Sequence, residues 1–211
     1  MTEPEIKKFK YKDERLPPGQ VLTPKFPVLY YADVPKIDLK KWTLEVTGLV
    51  EKPKTFSWEE FLKLHQEVSV SDMSCVTRWT RLDMKWEGVK FADFLKVVKP
   101  NPEAKHVLMK CYDGYTTNLP LEEMQKEDVL LAWKWDGKPL TPEHGWPLRV
   151  VVPHKYGWKS AKWIWQIHFT ERDEKGYWET HGYSNSADIW AEERFAWDPA
   201  LQKIQKMFVR G

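Results

Sequence analysis

The chain has 211 residues, enough for one large domain or two small ones with a substantial core. Lys and Arg total 33 against 31 Asp and Glu, a net charge of +2 with the signs interspersed, which argues against the one-sided cationic surface of a nucleic-acid-binding protein. No run of about 18 apolar residues occurs, and the charged start "MTEPEIKKFKYKDERLPPGQ" lacks the apolar centre of a secretory signal, so the expectation is a cytoplasmic protein without a spanning helix.

In chain order, residues 1–20 read as a charged arm ahead of one domain over 21–211. "LTPKFPVLYYADVPKID" is extended, proline-punctuated chain. "KWTLEVTGLV" alternates Trp42, Leu44 and Val46 with polar residues, the pattern of a half-buried strand. "TFSWEEFLKL" predicts a short helix, with Ser57 and Glu60 as a capping box and Trp58, Phe61 and Leu62 at helical spacing. Phe91, Phe94, Leu95 and Val98 share one face of a second helix in "VKFADFLKVV". "HVLMKCY" reads as a strand, "DGYTTN" as a turn, and "PLEEMQKE" as a short helix opened by Pro120. "DVLLAWKW" is a strand running into the hairpin-type turn "DGKPL", and "PLRVVV" and "KWIWQIHF" are strands flanking "PHKYGWKSA". Strands dominate and the helices are short inserts, so the predicted class is α+β with mixed β-sheets.

Two segments carry candidate chemistry. The first is "DMSCVTRWTRLDMKWEG", which holds Cys75, one of two cysteines. With Cys111 it matches no zinc spacing. A lone cysteine reads equally well as a buried, inert thiol or as a thiolate favoured by Arg78, Arg81 and Lys85. The second is "HGWPLRVVVPHKYGWKSAKW", with His144, Arg149, His154, Lys155, Lys159 and Lys162 around Gly145 and Gly157. Backbone N–H groups at glycines, with Arg and Lys, suit a phosphate; solvated cations on outward strand faces explain the same pattern. No G-x-G-x-x-G or Walker-type sequence supports an ordinary nucleotide site.

Together, "CVTRW" and the later "HGWPLRVVVPHKYGWKSAKW" resemble the sulfite-oxidase-like molybdopterin oxidoreductases, in particular their small stand-alone bacterial and archaeal branch. "GQVLTPKFPVLYY", "DGYTTNLPLEEM" and "DVLLAWKWDGKPL" extend the resemblance in the same order, from about Gln20 to beyond Trp163. The resemblance implies the sulfite-oxidase molybdopterin-binding fold and a cofactor of molybdopterin with molybdenum. It implies Cys75 as the protein's covalent ligand to the metal, a place a soft thiolate suits. It implies cofactor contacts at His144, Arg149, Ser160, Ala161 and Lys162, with Arg149 and Lys162 on the phosphate. Further contacts fall on Lys25, Phe26, Pro27 and Asp113, although Pro24 stands where relatives commonly have asparagine. The expected reaction is oxygen-atom transfer on a small oxyanion, S-oxide or N-oxide, with Arg78 holding an anionic substrate.

The sequence also departs from that pattern. Trp133 stands where sulfite oxidases carry a tyrosine beside the metal, and an indole cannot ionise or accept as a phenol does. Thr77 stands where the methionine-sulfoxide-reducing members have a carboxylate. Haem, flavin and nicotinamide motifs and the immunoglobulin-like dimerisation domain are missing, so the expectation is a separate electron-transfer protein or membrane subunit as partner. "HGYSNSADIWAEERFAW", with His181, Tyr183, Trp190 and Arg194, reads as a lid over the cofactor or as a segment packed for stability. Two readings compete with the leading one: a cofactor-free binding or carrier module on the same fold, and a thiol hydrolase pairing Cys75 with a histidine.

Overall fold

The structure is a computed structural model that describes residues 15–196; residues 1–14 of the expected arm lie outside the described residues. The chain enters through β1 (Val21–Leu22) and a largely irregular strap, then forms the antiparallel pair β2 (Thr43–Gly48) and β3 (Lys54–Ser57). Leu44 and Val46 on β2 are buried, with Trp42 just ahead of them, as the alternation requires. Helix α1 (Trp58–Leu62) begins with the expected capping box: Glu60 N–H donates to Ser57 Oγ at 3.2 Å, and Ser57 N–H to Glu60 Oε2 at 2.8 Å. A long hairpin follows, β4 (Glu67–Ser74) and β5 (Trp79–Lys90), then α2 (Phe91–Val98), whose buried residues are the four on its predicted apolar face.

Strands β6 (His106–Cys111) and β7 (Thr116–Pro120) form the next hairpin. The turn expected over "DGYTTN" is shorter than the sequence suggests, because Thr116, Thr117 and Asn118 pair with Lys110, Met109 and Leu108. Gly114, at φ 83°, and the Asp113 carboxylate, which accepts the Tyr115 N–H at 3.0 Å, reverse the chain early. Helix α3 (Leu121–Met124) follows Pro120, then come β8 (Leu130–Trp135), a two-residue Asp136–Gly137 turn with positive φ at both positions, and β9 (Lys138–Pro139). β10 (Arg149–Val151), β11 (Ile164–Thr170) and α4 (Tyr177–Thr180) complete the described elements.

The strands form two mixed sheets. One has the order β1-β5-β8-β10, with β4 on β5 and β9 on β8; the other has the order β3-β2-β11-β6-β7. The main core joins them, with Leu44, Val46, Ile167 and Phe169 of the second sheet packed in one cluster with Val89, Leu131 and Val150 of the first. A smaller cluster around Met84, Trp86 and Leu130 packs against Phe26 of the strap. A third, of Tyr156, Trp158, Ala187 and Ile189, anchors the segment after α4. Arg15 to Gln20 also pack onto the β4–β5 hairpin: Arg15 bridges Asp72 at 2.6 Å and Asp83 at 2.8 Å, and Gln20 is buried with its amide on the Cys75 carbonyl at 3.2 Å. The β4–β5 turn, the strap, the segment from His144 to Trp163 and the chain after α4 therefore meet at one end of the molecule.

Candidate cofactor and active site

At that end lies a cavity of about 310 Å3. Cys75 lines it from the tight turn between β4 and β5, where Cys75 N–H donates to Trp79 O at 2.9 Å and Arg78 N–H to Cys75 O at 3.0 Å. Arg78 takes a positive φ of 72° to close this turn. The thiol accepts one hydrogen bond, from Thr77 Oγ1 at 3.2 Å. The cations that follow Cys75 do not line the cavity. The Arg81 guanidinium lies over the Trp135 ring at 4.5 Å and within 3.8 Å of Asp136, and Lys85 is exposed.

Arg149 and Lys162 line the same cavity, adjacent through an isolated bridge between their backbones. Among the described residues their hydrogen bonds go to carbonyl oxygens, and aromatic rings lie beside both, Phe26 and Trp86 at Arg149 and Tyr30 and Trp163 at Lys162. Arg149 donates from Nη1 to His144 O at 3.0 Å and from Nη2 to Ser160 O at 3.1 Å; Lys162 donates to Leu29 O at 2.7 Å and Glu143 O at 3.0 Å. Burial pulls the Arg149 guanidinium down to about 9, still charged at neutral pH. Burial, then the neighbouring Arg149, pulls Lys162 down to about 7. The other cations of the segment are matched by carboxylates: His154 sits at 2.6 Å from Glu123, Lys155 at 3.7 Å from Glu123 and Lys159 at 2.6 Å from Glu179. The basic segment thus divides into groups with a carboxylate in contact and two cavity cations, Arg149 and Lys162, that have none in contact among the described residues, although Asp113 and Glu143 lie near enough to Lys162 to favour its charge. A buried cation without a counter-ion is costly, and an anionic ligand relieves that cost.

Gly145 makes the approach possible. Its φ is 106°, and a Cβ there would stand 3.1 Å from side-chain carbons of both Arg149 and Lys162. His144 donates from Nε2 to Phe26 O at 3.2 Å, which leaves Nδ1 to accept from Thr141 Oγ1 at 2.9 Å and fixes the neutral tautomer. Burial lowers its pKa and supports that form. The imidazole stacks on the Phe26 ring at 4.3 Å, so strap and segment hold each other. Phe26, Pro27, Asp113, Ser160 and Ala161 all line the cavity. Ser160 Oγ accepts the Val152 N–H at 3.0 Å, and Ala161 O accepts the Val150 N–H at 2.8 Å, which holds their turn against β10.

Three expected site residues lie elsewhere. Trp133 does not flank Cys75: it packs on the main core beside α1, donating from Nε1 to Gln66 Oε1 at 3.0 Å and meeting Trp58 edge-on at 5.9 Å. It shares the core cluster of Leu131, two residues before it on the strand. Arg78 serves the turn through its backbone and does not line the cavity, so the proposed anion-holding role has no geometric support. Lys25 is exposed beside the strap, while Phe26 and its successors form the wall. Conversely, no motif singles out Tyr115, Trp158 or Trp178, which line the cavity. Tyr183, flagged only within a possible lid, lines it too. Arg194 ties that segment down by donating to Val76 O, next to Cys75, at 2.7 Å.

A cavity lined by a buried thiol and by two cations whose hydrogen bonds go to carbonyls suits an anionic cofactor that carries a soft metal. The description of an oxidoreductase molybdopterin binding domain matches residues 31–178, and the chain belongs to that family. It is 46% identical over 185 residues to an uncharacterized oxidoreductase of Bacillus subtilis, YuiH, covering 87% of this chain and 93% of that protein. It is 34% identical over 170 residues to a putative protein-methionine-sulfoxide reductase subunit, YedZ1, of Azospira oryzae, covering 79% of this chain and 64% of that one. The catalytic subunit MsrP of a protein-methionine-sulfoxide reductase from Campylobacter jejuni is 33% identical over 162 residues, 69% of this chain and 54% of that one. The sulfane dehydrogenase SoxCD of Paracoccus pantotrophus shares the fold, with a TM-score of 0.68 at 24% identity over 74% of this chain and 45% of that chain. The protein is therefore an oxidoreductase of the α+β sulfite-oxidase-like fold, and its cofactor is molybdopterin with molybdenum. The cavity residues fit that group: a thiol for a soft metal, and two cations without carboxylate partners for a phosphate.

Proposed function

We propose that the protein catalyses oxygen-atom transfer on a neutral S-oxide, with Cys75 as the molybdenum ligand and Arg149 and Lys162 on the cofactor phosphate. When bound, the cofactor supplies the two-electron oxygen exchange. The observation that carries the choice of substrate is the distribution of charge. Besides Arg149 and Lys162 the wall carries the uncharged Val76, Thr77, Trp158, Trp178 and Tyr183, and the cations that follow Cys75 in the sequence do not line it. Those uncharged residues accept a polarisable, uncharged oxide and offer an oxyanion no counter-charge. Burial, then the nearby Cys75, raises the Tyr183 phenol, which keeps its proton and stays a hydrogen-bond donor for an oxide oxygen. Two relatives named as subunits of protein-methionine-sulfoxide reductases, YedZ1 and MsrP, agree with this substrate class. Both are described as subunits, which supports a separate electron-donating partner.

The test is a comparison of substrates on molybdenum-loaded protein. Reoxidation of reduced viologen by methionine sulfoxide and dimethyl sulfoxide is expected, with Tyr183→Phe slowing it. Sulfite oxidation faster than sulfoxide reduction would overturn the assignment.

A further inference from the structure

Strand β4 inverts the usual pattern of a sheet edge. Val68 and Val70 point to solvent, 53% and 59% exposed, while Glu67, Ser69 and Ser71 between and beside them are half-buried. An antiparallel strand with one wet face normally turns its apolar side chains inward. On one side β4 pairs with β5; on the other, no strand pairs with it among the described residues. Its outward N–H and C=O groups are thus a template for another strand, and its valines are an uncovered apolar pair beside that template.

We propose that β4 pairs antiparallel with β4 of a second copy of this chain, across a two-fold axis at Ser69, and so joins two sheets into one. The sequence around Ser69 is self-complementary. Val68 meets Val70 of the second copy and Val70 meets its Val68, while Glu67 faces Ser71 and Gln66 faces Asp72, so no like charges oppose each other. Centring the axis on Val68 or Val70 instead leaves the other valine opposite Gln66 or Asp72. The next strand adds charge complementarity. Within one chain Val70 is in register with Lys85 and Val68 with Glu87. Each row across the joint therefore reads Lys85, Val70, then Val68 and Glu87 of the second copy, an apolar pair closed by opposite charges. An isologous two-fold contact of this kind closes at two chains, so it uses up both free edges.

One strand pair lies at the small end of interface sizes, so a dissociation constant on the order of micromolar is expected. The test is sedimentation equilibrium on the molybdenum-loaded full chain, from about 1 to about 200 µM around that value. A dimer is expected, and Val70→Lys should raise its dissociation constant at least about tenfold by setting an ammonium against a valine at both symmetry-related positions. Val97→Lys, on the exposed side of α2, should leave it unchanged. Ser69→Cys places two thiols opposite each other and should give a disulfide-linked dimer on mild oxidation, reversed by dithiothreitol; the native Cys75 and Cys111 are buried. A melting curve and molybdenum content beside each variant exclude unfolding. A chain that is monomeric at the highest concentration, a dimer indifferent to Val70→Lys, or a dimer that Ser69→Cys does not cross-link overturns the proposal.

Discussion

The sulfur of Cys75 lines the cavity and has one hydroxyl donor, Thr77, at 3.2 Å, whereas Cys111 is fully buried on β6 and burial pushes its thiol well up. Cys75→Ser is nearly isosteric and should fold, yet lose turnover and the thiolate-to-molybdenum absorption; Cys111→Ser should leave both intact. Retention of more than a small fraction of activity in Cys75→Ser would remove that thiol from the metal. The two cavity cations make a separate prediction. Charge-assisted hydrogen bonds contribute about 1.5–3 kcal/mol each, so Arg149→Ala or Lys162→Ala should weaken cofactor retention by about ten- to a hundredfold. Molybdenum and pterin per chain after gel filtration measure it. Lys162 also gives the affinity a pH dependence. Its free-protein pKa, lowered to about 7, means that the ammonium is neutral above that pH until a phosphate restores its charge. Cofactor binding at alkaline pH should therefore take up a proton and weaken as pH rises. Calorimetry in two buffers of unlike ionisation enthalpy reads the proton, and Lys162→Met should abolish it. That Cys75, Arg149 and Lys162 line one cavity was legible because short local motifs carry them. Trp133 was not: which core a strand residue joins depends on pairing with distant chain, and in this fold it sends Trp133 to Gln66.

The single-turn helix Gly157–Lys159 carries Trp158 into the cavity wall, and α4 brings Trp178 to the same wall. A fully buried pair joins them: Lys159 Nζ lies 2.6 Å from Glu179 Oε1, and also donates to Asn118 O at 2.8 Å and Asn118 Oδ1 at 3.1 Å. Glu179 Oε1 further accepts from Thr117 Oγ1 at 3.0 Å and Trp158 Nε1 at 3.1 Å. Removing one charge strands the other in a dry site, so Lys159→Met should cost about 3–5 kcal/mol. The double variant Lys159→Met, Glu179→Gln should recover much of that loss, because the uncompensated carboxylate is gone. Urea unfolding of the four members of this cycle checks it; additive losses would show that the pair is not coupled. The strands and helices themselves were legible where alternation or helical spacing ran for several residues, as at β2 and α2. The Lys159–Glu179 pair was not, since it joins two short helices whose residues lie 20 positions apart through Thr117 and Asn118 of β7, and a lysine inside a basic segment reads as solvated.

Across the whole molecule, the cavity belongs to no single element. The strap from Phe26 to Tyr31, the Cys75 turn, the His144–Trp163 segment and the chain carrying Trp178 and Tyr183 each supply a wall. The fold brings them together around one buried and one half-buried cation, Arg149 and Lys162, with no carboxylate in contact among the described residues, so the cofactor should act as the partner that ties four separated segments. By linkage, a ligand present at a hundred times its dissociation constant stabilises the native state by about 2.7 kcal/mol. For a chain of this size that corresponds to a rise in melting temperature of about 5–11 °C. Calorimetric scans of molybdenum-loaded and cofactor-free protein should differ by that order, and the excess should shrink in Lys162→Ala, where one of the two cationic contacts is lost. Equal melting temperatures with and without cofactor, in protein shown to carry it, would mean that the native chain holds the group no more tightly than the unfolded chain, which contradicts a grip by Arg149 and Lys162.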